Sequence, residues 1–185
     1  MPPAQGAATN DKNSLAAEPA DHALGRSRGG LTTKIHALTD QATCPVAVRL
    51  TAGQAGDNPQ LMPLLDTHRR DTGRAGRRFR LLADKAYSHP STRAQLRRRG
   101  ISHTIPERHD QQQRRKTRGS KGGRPPAFDA DVYACRNTVE RGFGRLKQWR
   151  GIATRYDKYA LTYLGGVLLA AAVLHSRGKG LRDTP

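Results

Sequence analysis

A chain of 185 residues suits one domain with a real core. With 33 Lys and Arg against 15 Asp and Glu, its net charge is +18, a field that draws polyanions and makes DNA or RNA the expected partner. Aromatic residues, at 5%, are too few for an RNA-binding sheet that stacks bases. On charge alone, the plain alternative to a nucleic-acid binder is a ribosomal-type basic protein. The two cysteines, Cys44 and Cys135, have no C-x-x-C spacing; they read as reduced, buried thiols of a cytosolic protein and not as a zinc site.

Residues 1–22 are rich in Ala, Pro, Asn and Gly without periodicity and read as a disordered lead-in. No basic segment followed by an apolar stretch marks a signal peptide. Gly25 to Gly30 is glycine-rich but matches no phosphate-loop pattern, so a basic turn is expected. Thr33 to Thr39 reads as a strand, Asp40 to Thr43 as a turn, and Val46 to Thr51 as the antiparallel partner. Asp57 or Asn58 can cap a helix with Pro59 in its first turn and Leu61, Met62, Leu64 and Leu65 inside. The pattern gives out in the basic run around Arg69 to Arg78.

Phe79 to Ala83 is an apolar run ending at Asp84, a strand that delivers a carboxylate at its C-terminal end. Ser88 or His89 starts a second helix, with Pro90 in its first turn and Gly100 closing it. Ile101 to Ile105 is a strand ended by Pro106. Residues 107–126 carry Arg108, Arg114, Arg115, Lys116, Arg118, Lys121 and Arg124 with no apolar anchor, which predicts a mobile basic loop suited to phosphate contacts. A helix from about Asp129 to Trp149 follows. The apolar Ala160 to Leu174 segment is too short to span a bilayer and reads as a buried helix packing closely through Gly165 and Gly166. Residues 178–185 form a tail.

Within the long helix, Tyr133, Arg136, Glu140 and Lys147 fall within about 60° of one face. Phe128, Val132, Cys135, Val139, Phe143 and Leu146 occupy a neighbouring arc of roughly 80°. The apolar arc can seat the helix while the polar stripe borders a cleft. Phosphodiester cleavage in neutral water is served by two Mg²⁺ ions about 3.5–4 Å apart. Such hard cations take carboxylate ligands, and Asp84 and Glu140 have suitable settings. Tyr133, Arg136 and Lys147 can grip phosphates beside them. The plain alternatives are a surface ion pair between Glu140 and Arg136, and a capping role for Asp84. His36 and His89 read as structural, Trp149 as partly buried packing, and Tyr156 and Tyr159 as core contacts.

The spacing Y-x2-R-x3-E-x6-K resembles the signature of one large group of bacterial insertion-sequence transposases with a DDE active site. Leu82-Ala83-Asp84-Lys85-Ala86-Tyr87 looks like that group's second-aspartate motif. The segment Gly25 to His36 resembles the basic stretch running into its second strand. The resemblance covers about residues 23–177. It implies a ribonuclease-H-like α/β fold, a mixed sheet flanked by helices, with Mg²⁺ or Mn²⁺ held by Asp84 and Glu140. It also implies cleavage and joining of double-stranded DNA at terminal inverted repeats, with Tyr133, Arg136 and Lys147 holding the transposon end.

The family's first catalytic aspartate lies on a central strand ahead of the Gly25–Gly30 segment. Upstream of Gly25 stand only Asp11 and Asp21, neither in an apolar run, while Asp40 sits in a turn and Asp57 at a helix cap. The expectation is therefore a C-terminal transposase portion lacking the first central strand, marginally folded and inactive until completed. A homodimer or an N-terminal transposase half would be its protein partner, and the cytoplasm its place, without membrane attachment. A non-catalytic DNA-binding fragment is the alternative.

Overall fold

The computed structural model describes residues 18–72 and 79–180. Strands β1 (Gly25–Ser27), β2 (Gly30–Thr39) and β3 (Pro45–Ala52) form an antiparallel sheet in that order. The basic segment is a turn only at its centre: Gly25–Ser27, expected as part of the turn, is strand β1 folding back on β2, with Gly30 at a φ of 103° that a side chain would resist. β2 and β3 pair from Thr33↔Ala52 to Thr39↔Pro45, with a register irregularity between Leu38 and Thr39.

Strand alternation gives this hairpin two working faces. Ile35, Ala37, Val48 and Leu50 face a core built with Leu146, Ile152, Tyr163, Val167 and Leu174. Leu38 joins a second core of Leu61, Leu65, Leu81, Ala83, Leu96 and Ile105. Helix α1 (Leu61–Thr72) covers one side of the hairpin. Its cap differs from expectation: a tight turn at Asn58–Gln60 precedes it, and Asp57 makes no capping bond but pairs with Lys34 Nζ at 3.0 Å. His36, at the centre of β2, is buried, with Nε2 2.7 Å from Thr51 Oγ1, and burial lowers its pKa.

β4 (Arg80–Leu82), helix α2 (Pro90–Arg98) and β5 (Ser102–Thr104) make a parallel β-α-β unit. His89 caps α2 by accepting from Ser91 N–H, and Gly100 closes it at a φ of 67°. Buried Arg93 donates from Nη2 to Ile105 O at 2.8 Å, tying α2 to the exit of β5. The α/β class holds. The single mixed sheet does not: β4 and β5 form their own two-stranded sheet, joined to the hairpin by side chains of the second core and not by a backbone ladder.

Further expectations are corrected. Residues 107–126 contain helix α3 (His109–Thr117) and a tight turn at Gly119–Gly122. Polar contacts replace the missing apolar anchor: Arg115 pairs with Glu107, and Gln111 donates to Ser88 O at 3.3 Å. The long motif helix is broken into α4 (Ala130–Ala134), a tight turn at Cys135–Asn137 and α5 (Thr138–Leu146), followed by α6 (Arg150–Ala153). Cys135 and Phe128 are exposed, not buried, and Tyr156 lies on the surface, where its hydroxyl accepts from Arg150 Nε at 3.1 Å.

The last helix, α7 (Ala160–Gly180), buries Tyr163, Val167, Ala170, Ala171 and Leu174. Gly165 and Gly166 are not its packing face: both are exposed, with nothing within 4 Å of where a Cβ would stand. Residues Ala160–Arg177 are long and apolar enough to cross a membrane by length and composition alone, contrary to the sequence expectation. In the fold, one side of this helix closes the first core.

Of the expected lead-in, residues 1–17 lie outside the described residues, as do 181–185 of the tail. Glu18 is ordered into the fold. Its carboxylate accepts from Ala160 N–H at 2.7 Å and Leu161 N–H at 3.0 Å, capping α7, and meets His22 Nδ1 at 2.8 Å. Burial alone would raise its pKa, but the bonds from Leu161, Ala160 and His22 outweigh burial and lower it. A carboxyl depressed on folding stabilises above its unfolded pKa and loses that contribution as pH falls through the folded value. Glu18→Ala is expected to cost about 1 kcal/mol at neutral pH. In urea titrations at neutral and acidic pH, the gap between wild type and variant should shrink in acid.

Candidate active site

Asp84 sits two residues beyond β4, after buried Ala83, whose N–H continues the ladder to Thr104 O at 3.3 Å. Its Oδ1 accepts from Ala86 N–H at 2.8 Å and caps the tight turn Lys85–Tyr87. Strand-end delivery and capping are thus the same geometry, and among the described residues nothing engages Oδ2. Beside it the Tyr87 hydroxyl is pushed up to about 12, first by burial and then by the carboxylates of Asp57 and Asp84. Asp57 is a neighbour the sequence did not connect to this place.

Helix α3 is docked onto the Asp84 turn. Arg108 donates to Lys85 O and Ala86 O, each at 3.3 Å. The basic side chains nominated from the sequence divide here. Arg114, Lys116 and Arg118 are exposed, Arg114 holding only a 3.9 Å approach to Asp110. Arg115 is half-buried and committed to Glu107.

The second carboxylate, Glu140, lies in the first turn of α5. It accepts from Arg136, whose guanidinium stands 6.0 Å from the Tyr133 ring centroid; that ring lies 5.2 Å from Phe128. Three of the four motif residues therefore touch in sequence even though the helix breaks between them. Lys147 caps the end of α5 and is exposed. Helix α5 is seated on the hairpin turn by Gly142, where a Cβ would stand 2.9 Å from Thr43 O. Arg145 adds bonds to Thr43 Oγ1 at 2.8 Å and Ala42 O at 3.1 Å. Neither Gly142 nor Arg145 was nominated from the sequence, which offered as a signal only the helical spacing of Gly142, three residues after Val139 and four before Leu146.

Asp129 joins the two halves of the site. Its Oδ1 accepts from Val132 N–H at 3.0 Å, capping α4, and its Oδ2 from Arg80 Nη1 at 3.1 Å, on the strand that leads to Asp84. The Val132 bond, helped by Arg80, holds its carboxyl below the usual range.

A hard divalent ion would find the right atoms here but too few of them. Asp84 and Glu140 offer carboxylate oxygens, as Mg²⁺ or Mn²⁺ requires. One of them also caps a turn, the other is bridged to Arg136, and among the described residues they belong to no group of three metal-type ligands. These two carboxylates alone do not complete a two-metal centre. Asp21, upstream, holds Ala23 N–H at 2.9 Å in a turn, and Asp11 lies outside the described residues.

Residues 8–174 match the family described as Transposase DDE domain. The transposase of insertion sequence element IS6501 from Brucella ovis is 32% identical over 147 residues, which is 80% of this chain and 100% of that relative. No solved structure matches the chain.

The seating of α5 gives a paired prediction. Gly142→Ala should destabilise by about 1–3 kcal/mol through overpacking against Thr43. Gly144→Ala, with open space around it, should be neutral or stabilising by up to about 1 kcal/mol. Denaturant unfolding of the two variants measures both.

Proposed function

The chain belongs to the DDE transposase family, whose business is DNA transposition, and on that premise we propose that it supplies most of a catalytic domain acting at the inverted-repeat ends of an insertion sequence. The reaction is metal-dependent cleavage and strand transfer of double-stranded DNA, with Asp84 and Glu140 as two of the carboxylates that hold Mg²⁺ or Mn²⁺. The observation that carries the reading is the contiguous Tyr133, Arg136 and Glu140 stack on a helix seated against the hairpin. A phosphate of the transposon end would take the Arg136 guanidinium from Glu140, so that DNA binding itself frees the carboxylate. Lys147, with Arg114, Lys116 and Arg118 on α3, would hold the backbone, and Arg115 would serve by keeping α3 in place. The site of action is the bacterial nucleoid, in the cytoplasm.

In this reading the domain is of the ribonuclease-H-like kind and works when a further strand and a third carboxylate join it. Two features support that. The hairpin and the β4–β5 pair share one core without a ladder between them, and the carboxylates fall short of a two-metal set. An N-terminal transposase half is the natural donor; a homodimer would bring two transposon ends together. The Arg136–Glu140 bridge also favours a second reading, a DNA-binding fragment that occupies element ends without cutting them.

The test mixes the chain with inverted-repeat DNA and Mg²⁺, alone and co-expressed with the N-terminal half of a related transposase. Salt-sensitive binding is expected in both cases and cleavage only in the second. Asp84→Asn keeps a good cap and should abolish cleavage by about a thousandfold or more while sparing affinity. Lys116→Ala combined with Arg118→Ala should weaken binding and reduce the salt slope by about 2. Cleavage by the chain alone would sink the completion clause. Binding without cleavage after complementation would leave the DNA-binding fragment as the function.

A further inference from the structure

Away from the transposition motif, one cluster of side chains has the make-up of a metal site. Ligand atoms of Asp40, Cys44 and His175 all lie within 4.8 Å of one another. Asp40 and Cys44 belong to the turn between β2 and β3, and His175 to α7. We propose that these three bind a zinc-type divalent cation that staples the hairpin turn to the terminal helix.

The donor set selects the ion. One thiolate, one imidazole and one carboxylate suit Zn²⁺, whereas Mg²⁺ and Ca²⁺ take oxygens. Tetrahedral bonds of about 2.0–2.3 Å place neighbouring ligand atoms about 3.3–3.8 Å apart. The cluster closes on an ion by a contraction of about 1 Å, within the reach of small side-chain rotations. A fourth position stays open for water.

The scaffold is already braced. Asp40 Oδ1 accepts from Cys44 N–H at 2.9 Å and Asp40 N–H donates to Cys44 O at 3.0 Å, so one closed turn fixes two ligands. The His175 ring is oriented by a 3.2 Å contact of Nε2 with Pro45 O, the sort of carbonyl partner a metal-bound imidazole keeps. Cys44 is 1% exposed, which shields the sulfur side from water. Arg145 Nη1 stands 3.9 Å from its Sγ and helps to fix the side chain in place. The net charge of +18 already counts the Asp40 carboxylate, so a divalent ion that displaces the Cys44 thiol proton raises it by only a single charge. Cysteine spacing pointed away from zinc because it weighs Cys pairs; here the partners are an aspartate on the same turn and a histidine on a distant helix.

The full chain, stripped with a chelator, is titrated with Co²⁺ and then Zn²⁺. One equivalent of Co²⁺ should bind, with a thiolate-to-cobalt charge-transfer absorption and the strong visible bands of a tetrahedral ion, and Zn²⁺ should displace it. Cys44→Ser and His175→Ala should each weaken binding at least about tenfold and remove the Zn²⁺-dependent rise in Tm. Cys135→Ser, on the surface, should keep both. If Cys44→Ser fails to fold by circular dichroism, His175→Gln at its half-buried position carries the test. A folded wild-type chain without the charge-transfer band, or folded His175 variants with undiminished affinity, overturns the proposal.

Discussion

Everything else leans on the β2–β3 hairpin being buried on both faces. Ile35 and Ala37 look one way and Leu38 the other, and each side has its own core. A slip of one residue in this pairing would send each set into the wrong core, so register is pinned from both sides. Fixing the hairpin fixes its turn, and the turn carries α5 through Gly142 and Arg145. The placement of Glu140 is therefore inherited from strand pairing more than from the helix on which it sits.

Asp84 inherits its position differently. It follows the short parallel β4–β5 pair, and its turn is gripped from outside by Arg108. The attachment between this unit and the motif segment includes the exposed Arg80–Asp129 bridge. A single exposed ion pair of this kind contributes little. The apolar work is done elsewhere, by Leu81, Leu96 and Ile105 against α1.

What could be read from the residues was what periodicity and caps announce. The hairpin, α2 between Pro90 and Gly100, and the carboxylate closing the Phe79–Ala83 run all have strong local signals, and the motif spacing led to a stack that is made. Other features depend on partners distant in sequence. A helix without apolar residues, such as α3, is invisible to hydrophobic patterning because Glu107 and the Asp84 turn hold it. The break at Cys135–Asn137 has no Pro or Gly to mark it. Gly165 and Gly166 read as a packing face because small residues often are one, yet α7 turns them outward. The number of sheets was beyond local reading altogether, since ladder pairing between distant strands leaves no mark in either strand.

The Arg80–Asp129 bridge has a consequence for alignment. Asp84 follows the strand at one end of it and Glu140 lies beyond the short helix at the other, so the gap between the two carboxylates spans a joint made of exposed charges. Such a joint is soft, and under the proposed function the separation of the two carboxylates would be a mechanical variable that a highly charged, stiff duplex could set by leaning on both sides. The nucleic acid would then act as the gauge that brings them to their working distance.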